Sequence, residues 1–211
     1  MSEKTDALIQ KVGLVYKDGS SGAPGTFYSP IPFPEYSKQP CHKINCILEL
    51  ETIKRHYDFK GKKVLEIGSA GGYFTFNLAK LALGVVAFEA DTEVYEVTES
   101  IREEKDIRNI RFINERFNGY TGEPDVCLML NVHMWLHKQY GATATKQLLK
   151  DLNCTLFFQT AHKESHAMYK VYELETKEDI ADYLADCGFD PKLIGTNEHD
   201  GAPRYLFKAT K

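Results

Sequence analysis

From Lys62 onward the sequence alternates short apolar runs with longer segments in which apolar residues recur every three or four positions. This alternation predicts strands followed by helices, and such units build a parallel sheet with right-handed crossovers. Two later apolar segments, 192–194 and 205–208, have no helix between them and are predicted to pair as an antiparallel hairpin. We therefore expect an α/β fold with a doubly wound seven-stranded sheet, parallel except for its C-terminal hairpin, and helices on both faces. The five predicted parallel strands are 64–67, 85–88, 110–113, 126–130 and 155–158, and a helix is expected around Ala144 to Leu152, between the last two.

The first 40 residues have a different character. Five of the eight prolines lie between Pro24 and Pro40, which excludes a regular helix or a central strand there. Disordered linkers are usually poor in aromatic residues, so the aromatic residues of this stretch predict an irregular arm laid over the domain. A helix is expected from about Cys41 to Tyr57. We divide the chain into an arm and helix that cover the functional site, residues 1–58, and a domain, residues 59–211. The aromatic residues are Phe27, Tyr28, Phe33 and Tyr36.

Composition excludes several classes of protein. The five cysteines are scattered without a Cys-x-x-Cys pair, which disfavours a disulfide framework and a structural zinc site. No apolar run approaches the roughly 20 residues that span a bilayer, and the polar first six residues lack the apolar centre of a secretory signal, so we predict a cytoplasmic protein. The net charge of −4 provides no general attraction to nucleic acid, although a protein with this net charge can still carry a local basic patch.

A glycine-rich turn joins the first predicted strand to the first helix, in the segment Val-Leu-Glu-Ile-Gly-Ser-Ala-Gly-Gly-Tyr-Phe, residues 64–74. Gly68 and Gly72 let the backbone turn sharply and approach a ligand closely. Glu89 ends the second strand, where an acidic side chain can accept hydrogen bonds from both hydroxyls of a ribose. NAD enzymes share this geometry, but their Gly-x-Gly-x-x-Gly admits a pyrophosphate, whereas Ala70 replaces the middle glycine here and Phe74 lies near the last. The turn therefore predicts a nucleoside cofactor without phosphates, with an unliganded structural turn as the alternative.

This turn resembles the first motif of class I S-adenosylmethionine-dependent methyltransferases, in which an acidic residue stands two positions before a glycine-rich turn. The resemblance covers about residues 60 to 211. It implies the seven-stranded methyltransferase sheet and S-adenosyl-L-methionine as cofactor, with S-adenosyl-L-homocysteine as product. By this resemblance Glu66 holds the amino group of the cofactor, through water, and residues 114–117 lie near the adenine. The implied cofactor-binding residues are Glu66, Gly68, Ser69, Ala70, Gly72, Tyr73, Phe74, Glu89, Ala90, Glu115, Arg116, Phe117 and Asn131.

The segment after the fourth strand, residues 130–137, resembles the Asn-Val-Leu-His-His-Leu segment of small-molecule and quinone-type methyltransferases. The C-terminal two thirds of the chain, most closely from about His133, is also similar to the methyltransferase domain of the bifunctional methyltransferase–kinase that terminates bacterial polymannose O-antigen chains. By that similarity the acceptor is a sugar or a sugar phosphate. The segments that carry the similarity are 137–138, 146–149, 193–195 and 203–205.

Substrates of a doubly wound sheet bind beyond the carboxyl ends of its strands. Arg204 precedes the last strand, where its forked cation can clamp a carboxylate or a phosphate. His162 follows the fifth strand in a polar stretch that either grips an anionic acceptor or forms a solvated loop. Tyr28 and Tyr36 are predicted to close over the cofactor. The predicted acceptor-binding residues are Trp135, Gln159, His162 and Arg204.

Two histidines, His133 and His137, stand four positions apart and are candidates for a general base, since a histidine titrates near neutral pH and can take the proton of an attacking hydroxyl. Alternatively His133 lines the cofactor pocket or caps the strand. No third metal ligand is placed by the sequence, so no metal is predicted.

The leading hypothesis is a methyltransferase that acts on a small-molecule or glycan acceptor, by O-methylation. The alternatives are a tRNA or other RNA methyltransferase, and a non-catalytic partner subunit that keeps the methyltransferase fold. The sequence predicts neither the acceptor atom nor the oligomeric state.

Overall fold

A computed structural model describes residues 2–12, 27–36, 39, 41, 45–160, 174, 176–199 and 202–211. Each of the five predicted parallel strands is present, within one residue of its expected ends. The helices are α1 (Glu3–Lys11), α2 (Cys46–His56), α3 (Tyr73–Ala79), α4 (Thr92–Glu104), α5 (His133–Asp151) and α6 (Lys177–Asp186). The strands are β1 (Lys63–Ile67), β2 (Gly84–Phe88), β3 (Ile110–Ile113), β4 (Val126–Leu130), β5 (Thr155–Gln159), β6 (Asp190–His199) and β7 (Ala202–Thr210).

The seven strands form one sheet in the order β3-β2-β1-β4-β5-β7-β6. Strands β1 to β5 are parallel, and β7 runs antiparallel to both β5 and β6. This confirms the predicted doubly wound sheet with its C-terminal hairpin. Successive units wind outward in one direction from β1 and in the other from β4, so the crevice that binds ligands in such sheets opens at the carboxyl ends of these two neighbouring strands.

The core lies in two layers, one on each face of the sheet. One layer packs apolar residues of α1, α2, α3 and α4 against the sheet, with Ile53, Phe76 and Ile101 among its buried members. The other layer packs α5 and α6 on the opposite face, with Leu149 and Leu184 in its centre. Strand β4 is buried from Val126 to Met129, as expected for a central strand covered on both sides.

The helices differ from the sequence-based expectation in three places. Helix α1 was not predicted, because its sequence is mostly polar; contacts with α4 hold it, including a 2.9 Å hydrogen bond between the hydroxyls of Thr5 and Ser100. Helix α2 begins at Cys46, later than expected. Helix α5 begins at His133 rather than near Ala144, since it continues through a kink at Gly141, where φ is 79°. None of the described helices combines the length and the apolar character needed to cross a bilayer.

Candidate functional site

The glycine-rich turn between β1 and α3 lies directly against the start of α5. Gly68 and Gly72 have φ angles of 77° and 75°, in the left-handed region that glycine adopts without a steric penalty. A Cβ atom on Gly68 would lie 2.2 Å from the Cγ2 atom of Val132. Only glycine therefore fits at position 68, both for its conformation and for its clearance. Ala70 also adopts a positive φ, of 47°.

The carboxylate of Glu89, at the carboxyl end of β2, lies against this turn. Its Oε2 atom accepts a 2.8 Å hydrogen bond from the backbone N–H of Ala70, and its Oε1 atom accepts one of 2.9 Å from the N–H of Asp91. Burial raises the pKa of Glu89, and these backbone donors oppose the effect. A carboxylate offers about four acceptor positions, so two backbone donors leave capacity for further hydroxyl donors.

Glu66 brings a second carboxyl group to the same turn. Its side chain is buried, and the hydroxyl of Thr75 donates a hydrogen bond to its Oε2 atom. Burial raises the pKa of Glu66 to about 8, the Thr75 hydroxyl opposes the rise, and the charge of Glu89 adds to it. A buried acid with such a pKa ionises readily when a cation binds beside it. Sequence reasoning missed Thr75, although its place in the first turn of the helix after the motif was a usable signal.

A small cleft opens over the turn, and the N-terminal arm forms one of its walls. A Cβ atom on Gly71 would lie 3.2 Å from the backbone oxygen of Ser29, so this part of the arm packs closely on the turn. Tyr28 is among the residues that line the cleft. Tyr36 instead lies in the core, where burial and the nearby charge of Glu104 raise its pKa to about 12. The cleft is lined by Tyr28, Ser29, Glu66, Ile67, Gly68, Ser69, Ala70, Phe74, Leu128 and Leu130.

Three polar side chains form a buried chain of hydrogen bonds beyond β4 and β5. Arg204 donates through Nη1 to Oδ1 of Asn131 at 2.5 Å, and Asn131 donates through Nδ2 to Oε1 of Gln159 at 2.7 Å. All three side chains are at least nine-tenths buried. The sequence named each residue separately, but it did not predict that they join, because they come from three distant positions in the chain.

His133 lies away from the turn, among the residues that pack α5 and α6 against the sheet. It is fully buried, its Nε2 atom is 2.8 Å from the hydroxyl of Tyr183, and its ring packs edge-on against Phe158. Burial lowers the pKa of His133 to about 3, with a further contribution from His137. The imidazole is therefore held neutral in a packed interface, which argues against a general-base role and favours the structural alternative.

The neighbours of His133 lie nearer the surface. The ring centroid of His137 is 6.4 Å from that of His133, and its side chain is half-buried. Trp135 is 40% exposed, with the Nζ atom of Lys138 5.6 Å from its ring centroid. Among the described residues, no group of three or more histidine, cysteine, aspartate or glutamate side chains is arranged to hold a metal ion.

The predicted adenine-side residues are divided between surface and core. Glu115 and Arg116 are exposed, and Arg116 donates to Gln139 across the surface. Phe117 is buried and meets the ring of Phe88 edge-on, at a centroid distance of 5.3 Å.

The remaining predicted residues are placed as follows. Ala90 is exposed beside Glu89, and Tyr73 packs edge-on against Phe74 at the start of α3. Asn114 joins the second and third strands, because its side-chain amide donates to the backbone oxygen of Glu89 at 3.1 Å. His162 lies outside the described residues.

Comparisons with known proteins place this arrangement in a known fold. No protein-family model matches the chain, and no curated protein sequence matches it. Among solved structures, the bifunctional kinase-methyltransferase WbdD aligns with a TM-score of 0.76 and 21% identity, over 98% of this chain and 46% of that one. This chain therefore spans less than half the length of WbdD.

Two shorter solved proteins share the architecture. A SAM-dependent methyltransferase from Aquifex aeolicus aligns with a TM-score of 0.59 and 14% identity, over 81% of this chain and 95% of that one. Magnesium protoporphyrin IX methyltransferase (ChlM) from Synechocystis PCC 6803, with bound SAM, aligns with a TM-score of 0.63 and 16% identity, over 78% of this chain and 77% of that one. The chain thus has the fold of the class I S-adenosylmethionine-dependent methyltransferases.

Proposed function

We propose that this chain is an S-adenosylmethionine-dependent methyltransferase that transfers a methyl group to an oxygen of a small-molecule or glycan acceptor. The observation that carries the proposal is the position of Glu89, whose carboxylate lies against the glycine-rich turn at the carboxyl end of β2. An acid at this point of a doubly wound sheet suits the hydroxyls of a ribose. The fold shared with WbdD and ChlM supports the same cofactor.

The residues around the turn fit this cofactor. Glu89 would accept from the ribose hydroxyls, and Glu66 would ionise beside the cationic amino group. The absence of a side chain at Gly68 lets the turn pack directly against Val132, at the start of α5. The hydroxyl of Ser69 lines the same cleft, and its buried Oγ atom has no hydrogen-bond partner within the described part of the chain, so it can bond a ligand.

The bound cofactor supplies a methyl group activated by its sulfonium. The protein then needs mainly to align an acceptor oxygen with that methyl group and to exclude water, and alignment alone lowers the barrier by roughly 7 kcal/mol or more. A hydroxyl acceptor methylated in this way would release its proton to solvent. We propose that His133 packs and positions α5, since its neutral, buried imidazole is unsuited to accept that proton.

The proposed acceptor is a small molecule or glycan, such as a sugar or sugar phosphate. The resemblance of segments 137–138, 146–149, 193–195 and 203–205 to the methyltransferase–kinase of O-antigen chains supports this class. The exposed ring of Trp135 beside the carboxyl ends of the strands is suited to pack against such an acceptor. The net charge of −4 disfavours an RNA substrate. We further propose that the arm in residues 1–58 covers the site, supported by the close packing of Ser29 on Gly71.

Titration calorimetry with S-adenosylhomocysteine tests the proposal. Wild-type protein should bind it, and Glu89→Gln should bind at least tenfold more weakly, because a hydrogen bond to a charged group contributes about 1.5–3 kcal/mol. Asp91→Asn is the matched control, since it removes a neighbouring negative charge that only caps α4. A wild-type chain that does not bind this ligand would instead be a non-catalytic partner subunit.

A further inference from the structure

Arg204 is a buried cation with no counter-ion among the described residues. Its side chain is 5% exposed, and its Nε atom has no hydrogen-bond partner among the described residues. No carboxylate in the described part of the chain forms an ion pair with it. Burying an unpaired charge costs several kcal/mol, so such a cation is usually paired with an anion. We propose that Arg204 binds an oxyanion, a carboxylate or phosphate group carried by the methyl acceptor.

The position of Arg204 places this anion site at the carboxyl edge of the sheet. Leu206 of β7 is paired with Gln159, the last residue of β5, and Arg204 stands two residues earlier in β7. Because β7 runs antiparallel to β5, its first residues extend beyond the carboxyl end of β5. The guanidinium therefore lies where substrates of a doubly wound sheet bind.

The two amide side chains beside Arg204 orient it without neutralising it. Asn131 accepts from Nη1 of Arg204 and donates to Gln159, so its amide group is fixed from both sides. Asn131 is itself held at a φ of 60° directly after β4. An amide oxygen carries only a partial charge, and the full positive charge of the guanidinium is left to attract an anion.

The geometry of arginine indicates the class of ligand. A guanidinium presents its N–H donors in a planar fork that matches the two oxygens of a carboxylate or phosphate. Strand β7 is separated from β1 by β4 and β5, which is about 14 Å at the usual strand spacing. Glu66 and Glu89 lie on the other side, at β1 and β2. The oxyanion therefore belongs to the acceptor side of the crevice, an assignment that rests on the proposed function.

Thermal denaturation with inorganic phosphate tests the site, with sodium chloride keeping the ionic strength constant. At about ten times its Kd, phosphate should raise the Tm of the wild-type protein by roughly 3–5 °C. Arg204→Met should remove this response and, without phosphate, should be at least as stable as wild type, because a buried charge with no counter-ion among the described residues is gone. Arg108→Met, which removes the same charge from an exposed position, should respond like wild type.

Two results would overturn the anion site. One is an equal phosphate response in Arg204→Met, and the other is no phosphate response in the wild-type protein. If Arg204→Met does not fold, NMR spectroscopy of the wild-type protein answers the same question. The Nε–H resonance of Arg204, identified by its loss in Arg204→Lys, should shift as phosphate is added; a constant resonance would contradict the proposal.

A second pair of ligands identifies the source of the oxyanion. S-Adenosylhomocysteine carries an amino-acid carboxylate, whereas 5′-methylthioadenosine lacks the whole amino-acid group. We expect the phosphate response to persist in the presence of either ligand. If only S-adenosylhomocysteine abolishes it, Arg204 binds the carboxylate of the cofactor and the acceptor assignment is wrong. If the protein binds phosphate through Arg204 but binds neither nucleoside, the anion site is correct and the proposed function is wrong.

Discussion

The two halves of the crevice carry ionisable side chains of opposite type, acids in one and a cation in the other, and they are built in different ways. The half at β1 and β2, called here the acidic half, presents two carboxyl groups, the buried Glu66 and the partly buried Glu89, and desolvation raises both of their pKa values. The half at β4, β5 and β7, called here the basic half, presents the buried cation Arg204. S-Adenosylmethionine is cationic at its sulfonium and its ammonium, so the acidic half suits this cofactor, while the basic half suits an anionic acceptor. The difference indicates that, if the proposed function is correct, the two ligands would be oriented by side chains of opposite type rather than by a dedicated catalytic residue.

The largest expected effect is that of a side chain at Gly68, which would damage only the acidic half. Gly68→Ala imposes an unfavourable φ and a clash with Val132, so we expect a loss of about 2–5 kcal/mol in unfolding free energy and a loss of S-adenosylhomocysteine binding. Gly61→Ala has a similar positive φ but open space around it, and should lose only about 1–2 kcal/mol. Urea denaturation measures both values.

Adding Val132→Ala to Gly68→Ala should recover part of the lost stability, because it removes the clashing methyl groups. The phosphate response of Arg204 should survive in every one of these variants that folds. Equal losses of unfolding free energy in Gly68→Ala and Gly61→Ala would show that the close contact between position 68 and Val132 does not limit which residue the turn accepts.

Glu66 should make the stability of the unliganded protein depend on pH. Its folded pKa, about 8, lies above the ordinary value of 4.5, so the folded state keeps a proton that the unfolded chain has lost. Stability should therefore fall as the pH rises from about 4.5 and through about 8, by up to about 1.4 kcal/mol per pH unit. Urea denaturation between pH 5 and 9 measures this slope.

Glu66→Gln should flatten this dependence, leaving the part that Glu89, whose pKa burial also raises, contributes in the same direction. Below pH 8, binding of S-adenosylhomocysteine to the wild-type protein should release a proton, measured by calorimetry in buffers of different ionisation enthalpy. The same pH slope in wild type and Glu66→Gln would show that Glu66 does not cause the pH dependence of stability.

His133, which packs against Phe158 of β5, should make the stability of the protein depend on pH in the direction opposite to Glu66. Burial lowers its pKa from 6.5 to about 3, so its contribution to stability is complete above pH 6.5 and is lost as the pH falls towards 3. We expect His133→Leu to remove this acid sensitivity. It should cost about 1–3 kcal/mol at pH 7, because Tyr183 loses its hydrogen-bond partner.

The affinity for S-adenosylhomocysteine should not change in His133→Leu, and His137→Leu serves as the half-buried control. An unaltered urea denaturation curve at both pH 5 and pH 7 in His133→Leu would contradict the packing role.

The smallest effect is expected for Trp135, at the exposed rim of the basic half. Trp135→Ala should change the free energy of unfolding by no more than about 0.5 kcal/mol and the affinity for S-adenosylhomocysteine by less than about twofold. Calorimetry checks the affinity. A tenfold loss of affinity would show that Trp135 contacts the cofactor. The cofactor would then not be confined to the acidic half.

The sequence placed the parts of the acidic half close together because these parts are local in the chain. The glycine-rich turn and both acids lie within residues 66–89, at spacings that follow from one strand-helix-strand unit. The alternation of apolar runs likewise predicted the order of strands and helices. Helix α1 was missed because contacts with α4, rather than its own periodicity, determine it.

The basic half shows what the sequence alone does not provide. Asn131 and Gln159 are 28 residues apart, and Arg204 is 73 residues from Asn131, so only the folded sheet brings them together. The burial that keeps His133 neutral also depends on a distant residue, Tyr183 of α6. In both cases the residue type suggested the chemistry, whereas tertiary packing determined which chemistry is available.

A crystal structure of the protein with S-adenosylhomocysteine is the most direct test of the central claim. We predict that the ribose hydroxyls bond the carboxylate of Glu89, that the amino group faces Glu66, and that the sulfur points towards the side of Asn131 and Arg204. A nucleoside bound elsewhere, with Glu89 bonded only to the backbone of Ala70 and Asp91, would contradict the account.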